Sequence, residues 1–319
     1  MAGVQSVERN IDSGVVVIVG PTAVGKTAVA VELVSIIGGE IVSADSMGVY
    51  KGMDIGTAKP TDDERARARF HLIDAADPVD QFSVGEFARL AHNAIDDILA
   101  TNPPAIVVGG SGLYVRAAID GLDDSIPASD KDYREDLNRL ARARGAEYVH
   151  SMLAKVDAVS AERIHPNNVK RVIRALEMHH CTGERPSDLF EEDSKRPPRY
   201  PSARFFGLTM NRNDLYARIE RRVDAMMESG LVDEVRALMR RVTDPASTAM
   251  QGLGYKEIAG HIRGEIGFEE AVDLLKKNTR RFAKRQYTWF RADARVRWLD
   301  VGGRTAVEVS EQIKELLHA

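Results

Sequence analysis

Only one of the 319 residues is cysteine, Cys181. No disulfide can therefore form within the chain, and a reducing compartment is expected. No apolar run approaches the roughly 20 residues that a membrane-spanning helix needs. The first residues are polar and mixed, without the charged-then-apolar pattern of an export signal, so a cytoplasmic location is expected. The sequence has no heptad array or apolar seam, which makes a monomer the expected state. It has no Cys/His cluster to hold a structural metal and no Ser/His/Asp signature of a hydrolytic triad. Neither an internal repeat nor a low-complexity segment appears. The formal charge is −4, so a polyanion would have to bind a local patch rather than the whole surface.

The stretch Gly20, Pro21, Thr22, Ala23, Val24, Gly25, Lys26, Thr27 matches G-x-x-x-x-G-K-[S/T] at every position. Val15 to Val19 ahead of it reads as a buried parallel strand, and the residues from Ala28 read as a helix. That is the strand–loop–helix context the motif requires. The two glycines let successive N–H groups turn inward toward an anion, and the helix adds its positive end. Lys26 supplies a full charge, and the Thr27 hydroxyl is a candidate Mg²⁺ ligand. The spacing does not say which phosphates bind.

Glu40 to Ser46 reads as a second strand that delivers Asp45 and Ser46 to its carboxyl end, where ligands sit in open parallel sheets. Met47 to Pro60 is loop-like, with Lys51 and Lys59 within reach of an anion. Thr61-Asp-Asp-Glu64 has capping-box spacing. Phe82 to Leu99 has helical periodicity, with Phe87, Leu90, Ala94, Ile95 and Ile98 on one face. Ala105 to Val108 is a third strand, and the turn Gly109-Gly-Ser-Gly112 sets Ser111 at the same sheet edge. Arg204 to Thr209 is expected to complete the sheet, and Asn213 to Arg240 to be helical with Leu215, Ile219, Val223 and Met226 inward.

Between these parts the chain is highly charged and lacks strand-like runs. The expected fold is α/β: a P-loop NTPase-like parallel-sheet core at 15–120 and 201–319, interrupted by a helical insertion at 121–200. In the insertion, Asn167 to His180 reads as a helix with Lys170, Arg171 and Arg174 on one face. Lys276 to Arg297 holds nine Lys and Arg against one acid, Asp293, interleaved with Phe282, Tyr287, Trp289 and Phe290. Lys277, Arg281, Lys284 and Arg285 share a helical face there, which suits contact with a phosphate backbone.

These features leave three readings open. A small-molecule kinase would use Asp45 as base toward an acceptor hydroxyl. A transferase whose donor leaves as pyrophosphate fits equally. A nucleotide-gated RNA-binding switch is the third, disfavoured because no strand but the one at Asp45 ends in a metal-binding carboxylate.

GPTAVGKT, SADSMGVYKGMDIGTAKP, HLID, VVGGSGLYVRA, RIHPNNVKRVIRALE, LYARIERRVDAMMESGLVDEV, MQGLGYKEI and TRRFAKRQYTWFR follow one another in this order. Together they resemble the bacterial tRNA dimethylallyltransferases over residues about 15 to 298. The resemblance implies transfer of a dimethylallyl group from dimethylallyl diphosphate to the exocyclic amino group of the adenosine 3′ of the tRNA anticodon. It implies Asp45 as general base and Arg218 on the diphosphate, with Arg212 as the weaker candidate. Ser111, where the family usually has Thr, is implied near the meeting point of donor and base. Residues 20–27 would bind the donor, with Mg²⁺ on Thr27. The implied tRNA contacts are Asp45, Ser46, Met47, Gly48 and Ser111 beside the base, and Arg134, Lys170, Arg171, Val172, Ile173 and Arg174 in the insertion. Arg281, Lys284 and Arg285 complete the set on the basic helix. Gly48 and Lys170 stand where many members have Gln. No Cys/His pair follows Trp298, so the zinc finger of the eukaryotic relatives is not expected.

Overall fold

In the computed structural model, residues 14–121 and 130–319 are described. The expected tail at 1–14 and the start of the expected insertion lie largely outside them. The chain divides into two compact units, Met1–Ile119 with Tyr200–Ala319, and Asp120–Arg199.

The first unit opens with β1 (Val15–Val19), α1 (Lys26–Ile37), β2 (Glu40–Ser43), α2 (Asp62–Arg67), β3 (Phe70–His71), α3 (Val84–Thr101), β4 (Ala105–Gly109) and α4 (Gly112–Arg116). A π-helical turn, Ala117–Gly121, leads out of α4. The second unit is all helix: α5 (Lys131–Arg144), α6 (Ala146–Val156), α7 (Ala158–Arg163), α8 (Val169–Thr182) and α9 (Pro186–Lys195). The chain then returns to the first unit through β5 (Arg204–Thr209), α10 (Arg212–Glu228), α11 (Leu231–Arg241), α12 (Tyr255–Ile262), α13 (Phe268–Arg291), β6 (Val296–Asp300) and α14 (Ala306–His318).

The six strands form one parallel sheet in the order β3-β2-β4-β1-β5-β6. All five residues of β1, and all five of β4, are buried, as expected for central strands covered on both faces. Val29, Ala30 and Leu33 of α1 pack with Val309, Ile313 and Leu317 of α14 on one side of the sheet. Each of the Val, Leu and Ile side chains contributes about 1.5–3 kcal/mol by leaving water. This order sets the carboxyl ends of β2, β4, β1 and β5 side by side. The turns beyond them carry Asp45, Ser111 and the phosphate loop.

Several expectations change. β5 does not complete the sheet, because β6 pairs along its outer edge from Phe205↔Val296 to Thr209↔Asp300. β3 is a two-residue edge strand. The segment from Asn213 to Arg240 is helical as expected, in two helices that meet at Gly230, whose φ of 94° no helix accommodates. The buried face of α3 runs through Phe87, Ala88, Ala91, His92, Ile95 and Ile98, with Leu90 and Ala94 at its margin. The capping box at Thr61 and Glu64 forms as its spacing predicts.

The second unit packs around Leu137, Val149, Leu153, Val172, Ile173 and Leu176. Asp157 ties α7 to α9: its carboxylate accepts from Ser160 N–H at 3.0 Å, Ser187 N–H at 2.8 Å and Ser187 Oγ at 3.0 Å.

Candidate active site

At the end of β1 the chain wraps as the motif demands. Gly20 has φ of 147°, and a Cβ there would lie 2.7 Å from the Leu208 carbonyl oxygen, so no larger residue fits. Helix α1 begins at Lys26 with no side-chain cap and no acid in its first turn. Its orphan N–H groups and positive dipole end are thus left for an anion. Lys26 Nζ donates to the carbonyls of Gly20 at 3.0 Å and Pro21 at 2.9 Å. Burial, reinforced by the Arg222 charge and opposed by Asp45, lowers the Lys26 pKa to about 8.

Beyond β2, Asp45 closes a tight turn on itself. One oxygen, Oδ1, accepts from Met47 N–H at 2.8 Å and Gly48 N–H at 3.0 Å. That bonding fixes the carboxylate while Oδ2 is left for other work. Ser111, in the turn after β4, accepts from Ser46 N–H at 3.2 Å, and its Oγ lies 3.1 Å from Ser46 Oγ. The two sheet-edge turns are therefore joined through hydroxyls at the site.

Two cavities adjoin at Asp45. The smaller, about 120 Å³, is lined by Lys26, Thr27, Ser43, Asp45, Gly48 and Arg222 among others. The larger, about 270 Å³, takes in Asp45, Ser46, Met47, Ser111, Arg222 and Arg285. Thr22, Asp45, Thr57, Arg222 and Phe282 line both. A half lined by Lys26 and Thr27 of the glycine-rich loop and a half with apolar walls, including Ile219, Val223, Met226 and Leu253, thus meet over one carboxylate.

The arginine that faces this junction is Arg222, not Arg218. Arg218 lines neither cavity, whereas Arg222 lines both and donates to the Thr57 carbonyl at 3.4 Å. Burial lowers the Arg222 pKa, and the neighbouring Asp45 works against that shift. The two arginines are one helical turn apart, so the sequence pattern could not separate them. Arg212 is also absent from both cavities.

Helix α13 forms a wall of the site. Gln286, buried within it, accepts from Thr22 N–H at 2.8 Å and donates to the Gly110 carbonyl at 2.9 Å. It clamps the phosphate loop to the turn carrying Ser111. A Cβ on Gly110 would meet Gln286 Nε2 at 2.3 Å, so glycine is required for that approach. Sequence reasoning assigns no role to Gln286, nor to Gln251, Gly252, Leu253 and Lys256, which line the larger cavity. The MQGLGYKEI block is the signal for the latter, although its glycines alone suggest only a turn.

A second clamp holds the loop between β2 and α2. Glu234 Oε2 accepts from the N–H groups of Asp54 and Ile55, each at 2.8 Å. Its Oε1 accepts from Gly56 N–H at 3.0 Å and Tyr255 Oη at 2.6 Å. Gly56 and Thr57 are thereby set into the cavity wall. Lys59 is not free to meet an anion: it is paired with Asp54 at 2.7 Å and Asp74 at 2.5 Å and bonds the Tyr50 carbonyl at 2.6 Å.

The remaining cations divide by environment. On α13, Arg281, Lys284 and Arg285 are exposed, and Arg285 reaches the larger cavity. Trp289 is 43 % exposed, whereas Phe290 is buried and Tyr287 packs against the core. In the second unit, Lys170 and Arg171 are exposed. Val172 and Ile173 are only 0 % and 3 % exposed and belong to the core, so their side chains cannot meet RNA. Arg134 and Arg174 converge on the fully buried Glu177, with bonds of 2.9 Å and 2.6 Å. Their guanidiniums neutralise a buried carboxylate, a structural duty that the cationic stripe alone did not reveal.

Residues 48–293 match the family model for IPP transferase. The tRNA dimethylallyltransferase of Desulforudis audaxviator is 49% identical over 286 residues, 90% of this chain and 91% of that protein. That of Geobacillus thermodenitrificans is 48% identical over 93% of this chain and 94% of its own length. Among solved structures, the full-length tRNA isopentenylpyrophosphate transferase of Bacillus halodurans has a TM-score of 0.69 and 43% identity, covering 96% of this chain and 97% of that one. A eukaryotic dimethylallyltransferase acting on tRNA has a TM-score of 0.77 at 28% identity, covering 93% of this chain and 75% of its own. The phosphate loop, the carboxylate beside it and the two adjoining cavities are those of a chain that belongs to the IPP transferase family.

Proposed function

We infer that the protein is a tRNA dimethylallyltransferase. It moves the dimethylallyl group of dimethylallyl diphosphate to the exocyclic amino group of the adenosine 3′ of the anticodon and releases pyrophosphate. The observation that carries this reading is Asp45, set at the junction of a phosphate-binding cavity and a larger, partly apolar one. The donor's diphosphate lies in the smaller cavity under Lys26 and the amino end of α1, and the flipped base enters the larger one. Flipping is needed because a stacked base cannot be reached.

The chemistry is set by the groups present. An adenine amino group is a poor nucleophile because its lone pair is delocalised into the ring, so a base must take its proton as the new N–C bond forms. Asp45 Oδ2 is that base. The C–O bond to the diphosphate breaks with its electron pair leaving on oxygen, and Lys26 and Arg222 stabilise the growing charge. Ser111 and Ser46 position the base edge. Thr27 fits Mg²⁺ as a partial site. Among the described residues no cluster of three His, Cys, Asp or Glu could hold a metal alone, so the ion would rest on Thr27 and the donor's phosphates. When bound it neutralises pyrophosphate charge. No described helix is long and apolar enough to cross a membrane, and we propose a monomer working in the cytoplasm.

The test is one incubation with Mg²⁺ and an unmodified anticodon stem-loop bearing the adenine, split between labelled dimethylallyl diphosphate and labelled ATP. Label passing from the prenyl donor to RNA is expected. Label passing from ATP to a small acceptor, with RNA untouched, would make the protein a kinase.

Lys26 gives this reading a pH signature. In the empty site its ammonium is lost as pH rises through about 8. The cation that attracts the diphosphate is therefore mostly present below that value, half lost at it and mostly lost above it. The kcat/KM for the donor is expected to fall above pH 8, and the fall to disappear in Lys26→Arg, whose guanidinium stays charged. A fall that survives the substitution would assign the titration to another group.

A further inference from the structure

Phe282, Gln286 and Trp289 follow one another on α13 at i, i+4 and i+7 and so share one line of the helix. Phe282 lines both cavities at Asp45. Gln286, only 5 % exposed, and Trp289 meet the turn after β4 on either side of Ser111. A Cβ on Gly110 would overlap the Gln286 amide, and one on Gly112 the Trp289 indole. The glycines flanking Ser111 are thus required by one helix, which fixes where the Ser111 hydroxyl sits.

Gln286 does more than fill space. Its Oε1 accepts from Thr22 N–H at 2.8 Å, and its Nε2 donates to the Gly110 carbonyl at 2.9 Å. An amide can do both, whereas an ionised Glu has no donor and Lys or Arg has no acceptor. Thr22 follows Gly20 and Pro21, whose carbonyls are held from the other side by Lys26. Gly110 precedes Ser111, whose Oγ accepts at 3.2 Å from the N–H of Ser46, the residue after Asp45. The diphosphate side of the site and the side bearing the base are therefore linked through one buried amide.

We propose that Gln286 is a positioning residue for the transfer, setting the gap between the donor's reacting carbon and the acceptor amine. It acts through Thr22 and Gly110, to which the two ends of its amide are bonded. The proposal rests on the transferase reading above and adds the group that holds the two half-sites in register. Each half has its own binding groups, Lys26 and Arg222 in one and the apolar walls in the other. Losing the amide link leaves those groups in place and changes their spacing. Bond formation is steeply sensitive to that spacing, and a misplacement of about 1 Å costs about 10²-fold in rate. Gln286 therefore governs turnover, not the binding of either substrate.

The test separates kcat from KM in two variants that break the link from opposite ends. Gln286→Met keeps the length of the side chain, stays uncharged and removes both bonds. Gly110→Ala pushes the amide end of Gln286 aside, while every other atom near the new methyl lies 3.4 Å or more away. It keeps the buried amide in the chain, so it reports the same loss should Gln286→Met fail to fold. Each variant is expected to lower kcat at saturating substrates by about 10²-fold. The KM for dimethylallyl diphosphate and the Kd for tRNA should stay within a few-fold of wild type. The double variant should be no slower than the slower single one, because both changes remove the same link. A kcat near the wild-type value in both variants would overturn the proposal. So would a loss carried by the donor KM with kcat intact, which would make Gln286 a brace of the phosphate loop alone, or losses that add in the double variant. A wild type that transfers no prenyl group to RNA would overturn the functional reading, and this proposal with it.

Discussion

Asp45→Asn is expected to lower kcat by about 10²–10⁴-fold, the range for loss of a positioned general base, while tRNA affinity stays within a few-fold. The structure makes Asn the informative replacement. The Asp45 side chain has two separable duties: Oδ1 holds the N–H groups of Met47 and Gly48, and Oδ2 is the oxygen left to act as base where Asp45 lines both cavities. An amide retains the first duty through its carbonyl oxygen and cannot perform the second. Alanine would remove both, leaving two backbone N–H groups without their partner, and would confuse a lost base with a loosened turn. A kcat for Asp45→Asn within a few-fold of wild type would mean that the amino proton leaves by another route. The carboxylate would then serve the turn and the Arg222 charge only.

How much of the fold and site is legible in the sequence depends on whether the relevant physics is local. The phosphate loop is legible, because a left-handed glycine, a lysine and a helix start within eight residues define their own geometry. Asp45 and Ser111 are too, since parallel strands deliver their carboxyl-end turns to one edge of the sheet. The edge strands are not: β3 is two residues long, and in β6 only Val296 and Leu299 are buried, without the alternation that marks a strand. Gln286 looks like one polar residue among many cations. Its role comes from two partners, Thr22 and Gly110, that lie 264 and 176 positions away. The same limit explains Arg134 and Arg174, where a cationic stripe suggests RNA and the decisive neighbour is Glu177, buried beneath both.

Arg218 and Arg222 show how a local pattern fails by one turn, and they offer a decisive comparison. Four residues apart on α10, they present the same residue type on the same side of the helix, so only packing tells them apart. Arg222 lines both cavities beside Asp45, and Arg218 lines neither. Arg222→Met is therefore expected to lower kcat/KM for dimethylallyl diphosphate by about 10²–10³-fold, as for removal of a preorganised charge from a departing anion. Arg218→Met is expected to change it by no more than a few-fold. A second readout separates a lost phosphate contact from general damage. Burial is the main cause of the lowered Lys26 pKa, and the Arg222 charge adds to it. Removing that charge should let the lysine hold its proton to higher pH, so the alkaline limb of kcat/KM should move upward in Arg222→Met and stay in place in Arg218→Met. The reverse pattern, with the large loss and the moved limb in Arg218→Met, would return the diphosphate to Arg218 and require α10 to turn when the donor binds.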